Sequence, residues 1–256
     1  MIAGEVMSEV RSNIEVSACG GVRPGEIRRA EQTIGRVLRR HAVAGGARIR
    51  LTARGFADGE TIAQVNVNFG GQPVRTQIAG PGVFALTFAA ERLDRQLARL
   101  AALAPPRWAP DPGRTPLAYV SDERPIVRRE NCEPRRCDPV AAARVMDALD
   151  YDAHLFTDIG SGEDAVVYWA GPLGVRMARQ RRMHPPRNAD ELRLTMNPHP
   201  TRILTESGAV ARLCTYGLSF LFFTAPDDGR GRLLYRRYDG DLGLVAAKPS
   251  APIQVE

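Results

Sequence analysis

Asp152-Ala-His-Leu-Phe-Thr157 returns 67 positions later as Ser219-Phe-Leu-Phe-Phe-Thr224. Two further pairs of segments follow the same pattern: Ala165-Val-Val-Tyr-Trp169 with Arg232-Leu-Leu-Tyr-Arg236, and Gly171-Pro-Leu-Gly-Val175 with Gly240-Asp-Leu-Gly-Leu244. Similarity at a nearly constant spacing within one chain indicates repeated structural units. Each unit has one apolar face and is too short to bury that face alone. We therefore expect the two copies to pack on each other as an internal pseudo-dimer.

Four aromatic residues occupy matching positions in the two copies. They are Phe156 and Tyr168 in the first copy, and Phe223 and Tyr235 in the second. Aromatic residues on strands can stack on bases, but they more often fill a core or an interface. We expect these four to form the interface between the copies. The spacer before the second copy spans up to about 55 Å when extended, which is enough to bring the copies together.

The rest of the chain divides at proline-rich and glycine-rich stretches. Residues 1–104 show the order β-α-β-β-β-α, with helices over 24–40 and about 83–103, which predicts an α+β domain. Residues 105–124 form a proline-rich linker. The first copy covers 125–180, a spacer 181–200, the second copy 201–247 and a tail 248–256. Each copy is predicted to be a small β-α-β-β-β unit.

Composition sets limits on the function. The 256 residues carry a net charge of +6 with a pI of about 9.5, which favours a polyanionic partner. Lys248 is the only lysine among 35 basic residues; a GC-rich genome alone would produce that bias.

No stretch is apolar enough for a membrane helix, and no signal peptide is apparent. The four cysteines lack zinc spacing and are expected to be free thiols in the cytoplasm.

Arginines of the first domain concentrate on one side of each predicted helix. Arg28, Arg29, Arg36, Arg39 and Arg40 fall within an arc of about 120° on the first helix. Arg92, Arg95 and Arg99 form a stripe on the second helix, opposite Leu86, Ala90, Leu93 and Leu97. If both helices cover the same face of the sheet, these arginines merge into one basic patch. A solvated helix face is the alternative, but 14 arginines against nine acidic residues in 1–104 favour polyanion binding.

No constellation for catalysis, metal binding or cofactor binding emerges. The histidines (His41, His154, His184 and His199) are scattered and lack ligand spacing. Gly70-Gly71-Gln72 has the letters of the peptide-release tripeptide, but its place between two strands predicts a hairpin turn. We therefore predict a non-enzymatic protein with no metal and no cofactor.

Two segments carry a resemblance to a known family. Leu233-Leu-Tyr-Arg-Arg-Tyr-Asp-Gly-Asp-Leu-Gly-Leu-Val245 closely resembles the C-terminal signature of the long-form ribosome hibernation promoting factors. The second helix, through Arg92, Arg95 and Arg99, resembles the basic run of that family's ribosome-binding domain. Its start, Pro81-Gly-Val83, departs from the family's acidic and aromatic pattern. A second departure is larger, because the family has one C-terminal unit and this chain has two.

The resemblance implies a translation inhibitor that acts during dormancy or stress. Its partners would be the small ribosomal subunit and rRNA, with the first domain on the decoding region and the arginines on rRNA phosphates. Neither a membrane nor a small-molecule substrate is implied. In the family, the C-terminal unit pairs with its twin on another ribosome. Here a tandem copy, at an effective concentration of about millimolar, can satisfy that surface within one chain. We therefore expect a monomer that stabilises single ribosomes.

Two alternative functions remain open at this stage. A general RNA-binding chaperone would share the basic patch but show no preference for assembled ribosomes. A protein-interaction regulator would use the tandem units and would be insensitive to salt.

Overall fold

A computed structural model describes residues 13–247, without 55–58, 105–106, 108–121, 172–173 and 187–193. The predicted linker lies mostly, and the predicted tail wholly, outside the described residues. The chain divides into two compact units. The first contains Met1–Ala104 and Ala148–Asp150, and the second contains Pro105–Asp147 and Tyr151–Glu256.

The first unit has the predicted order β-α-β-β-β-α. Its elements are β1 (Ile14–Cys19), α1 (Pro24–Arg40), β2 (Ala47–Ala53), β3 (Glu60–Phe69), β4 (Gln72–Pro81) and α2 (Phe84–Ala101). The strands lie in the order β1-β2-β3-β4; β1 and β2 are parallel and the other pairs antiparallel. Gly70 and Gly71 have φ of 57° and 81° and form the two-residue turn between β3 and β4. The hairpin interpretation of this tripeptide is thus confirmed, since such turns need two positive φ angles.

Both helices of the first unit cover one face of its sheet. Strand β2 shows the reason, because Ile49 and Leu51 are buried while Arg48 and Arg50 point to the opposite, exposed face. One apolar cluster combines residues of both helices (Ala30, Ile34, Leu38, Leu86, Leu93, Leu97) with residues of the sheet (Ile49, Leu51, Ala63, Val65, Val67, Val74, Ile78). The helices therefore turn their polar sides to the same solvent side.

The second unit contains two sheets and two helices. Its elements are β5 (Ile126–Cys132), β6 (Arg136–Cys137), α3 (Pro139–Ala148), β7 (Ala153–Asp158), β8 (Asp164–Trp169), β9 (Val175–Arg179), β10 (Thr195–Met196), α4 (Glu206–Thr215), β11 (Phe220–Thr224), β12 (Gly231–Arg236) and β13 (Leu242–Ala247). One sheet has the order β10-β9-β8-β7-β6 and the other β11-β12-β13-β5. Strand β10 lies inside the stretch 181–200 that the sequence pattern predicts to be a spacer.

The two copies repeat their local structure at a spacing of 67 residues. Helices α3 and α4 begin and end at matching positions, as do strands β8 and β12. Both helices are capped at the N-terminus by the side chain of the preceding residue. The side chain of Asp138 accepts a hydrogen bond from the Ala141 amide at 2.8 Å, and Thr205 accepts one from the Gly208 amide at 3.2 Å. The parallel bridge between Ile203 and Thr224 matches the first pair of β6 and β7.

The copies exchange their leading strands. Strand β5 precedes the helix of the first copy, yet it pairs in parallel with β13 of the second copy. Strand β10 precedes the helix of the second copy and pairs in parallel with β9 of the first copy. The repeat predicts that the first copy begins at residue 125. The strand at that point, β5, nevertheless belongs to the sheet of the second copy. Consequently, the backbone pairing of each sheet includes a strand from the neighbouring copy.

Each sheet of the second unit is apolar on both faces. Beneath α3, a first cluster includes Met146, Phe156, Val167 and Met177; beneath α4, a second includes Leu213, Phe223, Leu234 and Leu244. A third cluster, which we call the seam, joins the opposite faces of the two sheets. Its buried members are Ala153, Leu155, Val166, Ala178, Phe222 and Leu233, with Tyr168, Phe220 and Val245 packed against them. The two copies therefore bury one face of each sheet against the other.

No helix among the described residues is long and apolar enough to cross a membrane. None of the four cysteines forms a disulfide; Cys137 and Cys214 are buried, whereas Cys19 and Cys132 are exposed.

His154 on β7 should make the second unit sensitive to acid. Burial, together with the charge of Arg135, lowers the pKa of His154 to about 4, against 6.5 for an unperturbed histidine. Because its folded pKa lies below its unfolded pKa, protonation favours the unfolded state, and stability falls as the pH drops from about 6.5 towards 4. From pH 7 to pH 5 this histidine should cost about 2 kcal/mol.

The matched variant is His154→Leu, which cannot titrate. Urea unfolding followed by the fluorescence of the two tryptophans, Trp108 and Trp169, should show a smaller stability loss between pH 7 and pH 5 in the variant than in the unmodified chain. Equal losses in both proteins contradict the role of His154.

Candidate nucleic-acid interface

Helix α1 presents its five arginines to solvent. The helix begins with Pro24, which fits the first turn, and the side chain of Glu26 accepts a hydrogen bond from the Arg23 amide at 2.7 Å. It ends at Arg40, ahead of Ala42 with a φ of 51°. The apolar side of α1 is buried in the cluster described above. Arg28, Arg29, Arg36, Arg39 and Arg40 are all exposed, on the side where the sequence predicts them.

Most of these arginines keep their charge available for a partner. Within the described residues, no carboxylate pairs with Arg28, Arg29, Arg36 or Arg39. The contact of Arg36 is a long hydrogen bond of 3.4 Å to the Thr33 hydroxyl. Guanidinium groups that face water without an internal acid can bind phosphate at little cost, since no ion pair must break.

Asp94 on α2 is the acid that interrupts the patch. Its Oδ1 lies 2.9 Å from both Nη1 of Arg40 and Nε2 of His41. Partial burial raises the pKa of Asp94, but the hydrogen bonds from His41 and Arg40 outweigh it, so the pKa lies below its usual value. This ion pair fastens the end of α1 to α2. It also places exposed Arg95, the next residue along α2, on the same side of the unit.

Arg92 is not part of the exposed stripe, and this corrects the prediction from helical spacing. Its side chain is only 2% exposed, and its Nη2 donates to Oδ1 of Asp150, which belongs to the same compact unit. Position 92 lies about 60° around the helix from position 95, towards buried Ala89 and Gln96. Arg99 is half-buried. Of the three arginines predicted on α2, Arg95 alone is fully on the exposed side.

The prediction from the arginines of the two helices missed a second basic surface. Arg48 and Arg50 on β2 are exposed on the sheet face that no helix of the unit covers. Asn66 of β3 lies opposite Arg48 in the register and donates to its carbonyl oxygen at 3.4 Å. The alternation Ala47-Arg-Ile-Arg-Leu51 carried this signal, since residues two apart on a strand share a face.

The seam contains only part of the predicted aromatic set. Phe156 and Phe223 are fully buried, but each lies under its own copy's helix, so the prediction that they meet between the copies is wrong. Successive strand residues point to opposite faces, and the neighbours Leu155 and Phe222 occupy the seam instead. Tyr168 lies at the seam, its ring 5.2 Å from that of Phe220.

Tyr235 holds the matching position to Tyr168 but bonds elsewhere. Its hydroxyl donates to Oε1 of Glu130 on β5 at 2.8 Å. Burial, followed by this hydrogen bond, raises the pKa of the Tyr235 hydroxyl above its ordinary value. Tyr235 therefore ties the exchanged strand β5 to the sheet that receives it.

The described part of the chain contains no group of three or more metal-ligating side chains. The surface of the first unit instead presents two arginine-bearing faces, one on α1 and one on β2.

Known proteins are similar to this chain in its C-terminal part and over most of its length. The model of the family described as "Sigma 54 modulation/S30EA ribosomal protein C terminus" matches residues 121–174, which include β5 and the first copy through β8. Two proteins of Mycobacterium tuberculosis, from strains CDC 1551 / Oshkosh and ATCC 25618 / H37Rv, are each named "Dormancy associated translation inhibitor". Each is 45% identical to this chain over 240 residues, which are 91% of this chain and 88% of the relative. The chain therefore belongs to the ribosome hibernation promoting factor family.

Two solved structures were also found. One is a ribosomal subunit interface protein from Coxiella burnetii, at 18% identity and a TM-score of 0.30, covering 35% of this chain and 97% of that protein. The other is the N-terminal domain of Thermus thermophilus Protein Y, at 22% identity and a TM-score of 0.29, covering 34% of this chain and 98% of that one.

Arg92 and Arg95 should respond oppositely to charge reversal. Arg92→Glu places a second carboxylate beside buried Asp150 and removes its partner, which should cost about 3 kcal/mol or more. Arg95→Glu changes an exposed side chain of the same helix and should shift stability by less than about 1 kcal/mol. Thermal unfolding of the two variants tests this difference, and equal melting temperatures contradict the burial of Arg92.

Proposed function

We propose that this protein inhibits translation in dormant or stressed cells by occupying the decoding region of the small ribosomal subunit. The arginine face of α1, extended by Arg95 of α2, would contact rRNA phosphates. The observation that carries the proposal is the 45% identity, over nearly the whole length of both chains, to proteins named as dormancy associated translation inhibitors. The exposed arginines supply a physical basis for the partner.

Electrostatics supports helix α1 as the main contact. Its five arginines extend over roughly three and a half turns, and every turn of an α-helix advances 5.4 Å. Phosphates along an RNA strand recur at a similar spacing, so several can be met at once. Each contact releases counterions from the RNA, which makes binding strong at low salt and weak at high salt.

Inhibition requires no chemistry in this proposal. A rigid domain that fills the site of tRNA and mRNA blocks initiation by exclusion alone. Neither a cofactor nor a nucleophile is needed, which agrees with the scattered histidines. Translation should therefore be inhibited in proportion to the number of ribosomes occupied, with the rRNA left intact.

The duplicated C-terminal part points to a further feature of the proposed function. We propose that the two copies form an internal pseudo-dimer, so that the chain is a monomer and acts on single ribosomes. The support is the seam, which buries one face of each sheet inside one chain, and the exchange of β5 and β10. A surface that is already covered within the chain has no exposed face left to join a second chain.

The helix face can be tested by reversing charge on α1. Arg36→Glu combined with Arg39→Glu should weaken binding to purified small subunits at least tenfold, because two phosphate contacts turn repulsive. The slope of log K against log salt should become flatter by roughly 0.7–0.9 for each lost contact. Inhibition in a cell-free translation assay should decline in parallel.

Arg48→Glu with Arg50→Glu is the matched control. It makes the same change of charge on the same domain, but on the opposite, helix-free face. Binding that falls equally in both variants indicates a general charge effect, as in an RNA chaperone. Binding lost only in the sheet-face variant contradicts the proposed orientation.

Sedimentation separates single from paired ribosomes. Ribosomes saturated with the full-length protein should migrate on a sucrose gradient at the position of single ribosomes. A strong peak of ribosome dimers contradicts the internal pseudo-dimer, because it requires the C-terminal part to join two chains.

A further inference from the structure

Equivalent strands of the two copies meet at the centre of the seam. Strand β8 of the first copy contacts β12 of the second, and the two strands occupy matching positions in the repeat. Equivalent residues of two units related by a two-fold axis can contact each other only close to that axis. The first residues of the two strands, Asp164 and Gly231, are therefore the pair that a symmetric interface would make identical.

The chain places unlike residues at that point. Asp164 is 3% exposed, and its Oδ2 accepts hydrogen bonds from the Gly231 amide at 2.8 Å and from Nε of Arg230 at 2.7 Å. Its Oδ1 accepts from Nη2 of Arg230 and from the Thr157 hydroxyl, both at 3.1 Å. Burial raises the pKa of Asp164, but these hydrogen bonds outweigh it, so the group stays ionised. The carboxylate of the first copy is thus satisfied largely by the second.

Gly231 has no space for a side chain. A Cβ atom there would lie 2.7 Å from Cβ of Asp164 and 2.8 Å from the ring of Phe222. Phe222 fills the volume beside the glycine, whereas the first copy has the smaller Leu155 at the matching position. The charges of the preceding residues also differ, since Arg230 in the second copy occupies the position of Glu163 in the first.

We propose that the seam accepts one first copy and one second copy and rejects two of a kind. Two first copies would bury Asp164 against Asp164, with Glu163 in the place of the arginine. Two second copies would face Gly231 with Gly231, which leaves a void and sets Arg230 against Arg230 without the carboxylate of Asp164. The partner that this surface fits is the other copy of the same chain.

The selectivity that we propose is a different effect from the tethering of the two copies in one chain. A tether favours the intramolecular partner but leaves a seam of identical copies able to join two chains at high concentration. Because Asp164 and Gly231 differ, a copy in one chain pairs poorly with the identical copy in another chain. Buried carboxylates about 4 Å apart should weaken pairing on the order of a hundredfold or more. The inference concerns the isolated chain, so it stands or fails independently of ribosome binding.

The test compares isosteric variants of the full-length chain. Gly231→Asp and Gly231→Asn add side chains of nearly equal size, but only the aspartate adds a charge opposite Asp164. Amide hydrogen exchange of β8 and β12, followed by mass spectrometry at pH 7, reports how often the seam opens. Exchange should be at least tenfold faster in Gly231→Asp than in Gly231→Asn. In an Asp164→Asn background the two should agree within about twofold.

Arg230 provides a second comparison with little steric conflict, because its side chain lies at the edge of the seam. Arg230→Glu should open the seam more than Arg230→Gln, again only while Asp164 is present. This pair remains informative if a side chain at position 231 prevents folding. The proposal is overturned if the aspartate and glutamate variants match their amide counterparts, or if the differences persist in the Asp164→Asn background.

Discussion

Burial of the second face of each C-terminal sheet is the constraint on which the second unit depends. A helix covers one face, and apolar residues such as Val166 and Leu233 line the other. An exposed apolar sheet face of this kind is unstable in water and favours association. The chain meets the constraint with a second copy of the same unit. The exchange of β5 and β10 adds backbone hydrogen bonds to the apolar contact, so the copies share both core and sheet.

Duplication within one chain allows the two halves of an interface to differ, which a symmetric dimer of identical chains does not allow. In a dimer of identical units, a residue on the two-fold axis meets its own copy, so a buried charge there faces a like charge at a high energetic cost. Two copies in one chain can diverge at the axis, as Asp164 and Gly231 have. The side-chain volumes differ as well: the copy with the aspartate has Leu155 where the copy with the glycine has the larger Phe222. An interface of this kind can be specific in ways that a homodimer cannot reach.

The sequence predicted the elements well and the directions of individual side chains less well. The order of the first unit and the Gly70-Gly71 turn followed from local rules and are confirmed. The exchange of β5 could not be predicted, because strand pairing between copies leaves no local pattern. Phe156 and Phe223 were misplaced for another reason. Both faces of their strands are apolar, and alternation then gives no indication of which face meets the helix.

Several arginines of this chain form internal ion pairs, so the net charge is a weak guide to where a polyanion could bind. Arg92 pairs with Asp150, Arg179 with Asp158, and Arg230 with Asp164, each within its own compact unit. These guanidinium groups satisfy buried carboxylates and offer little to a phosphate. Arg28, Arg29 and Arg39 have the same chemistry, but they point away from the core and meet no acid among the described residues. Position relative to an internal carboxylate, rather than residue type, therefore decides which guanidinium groups stay available at the surface.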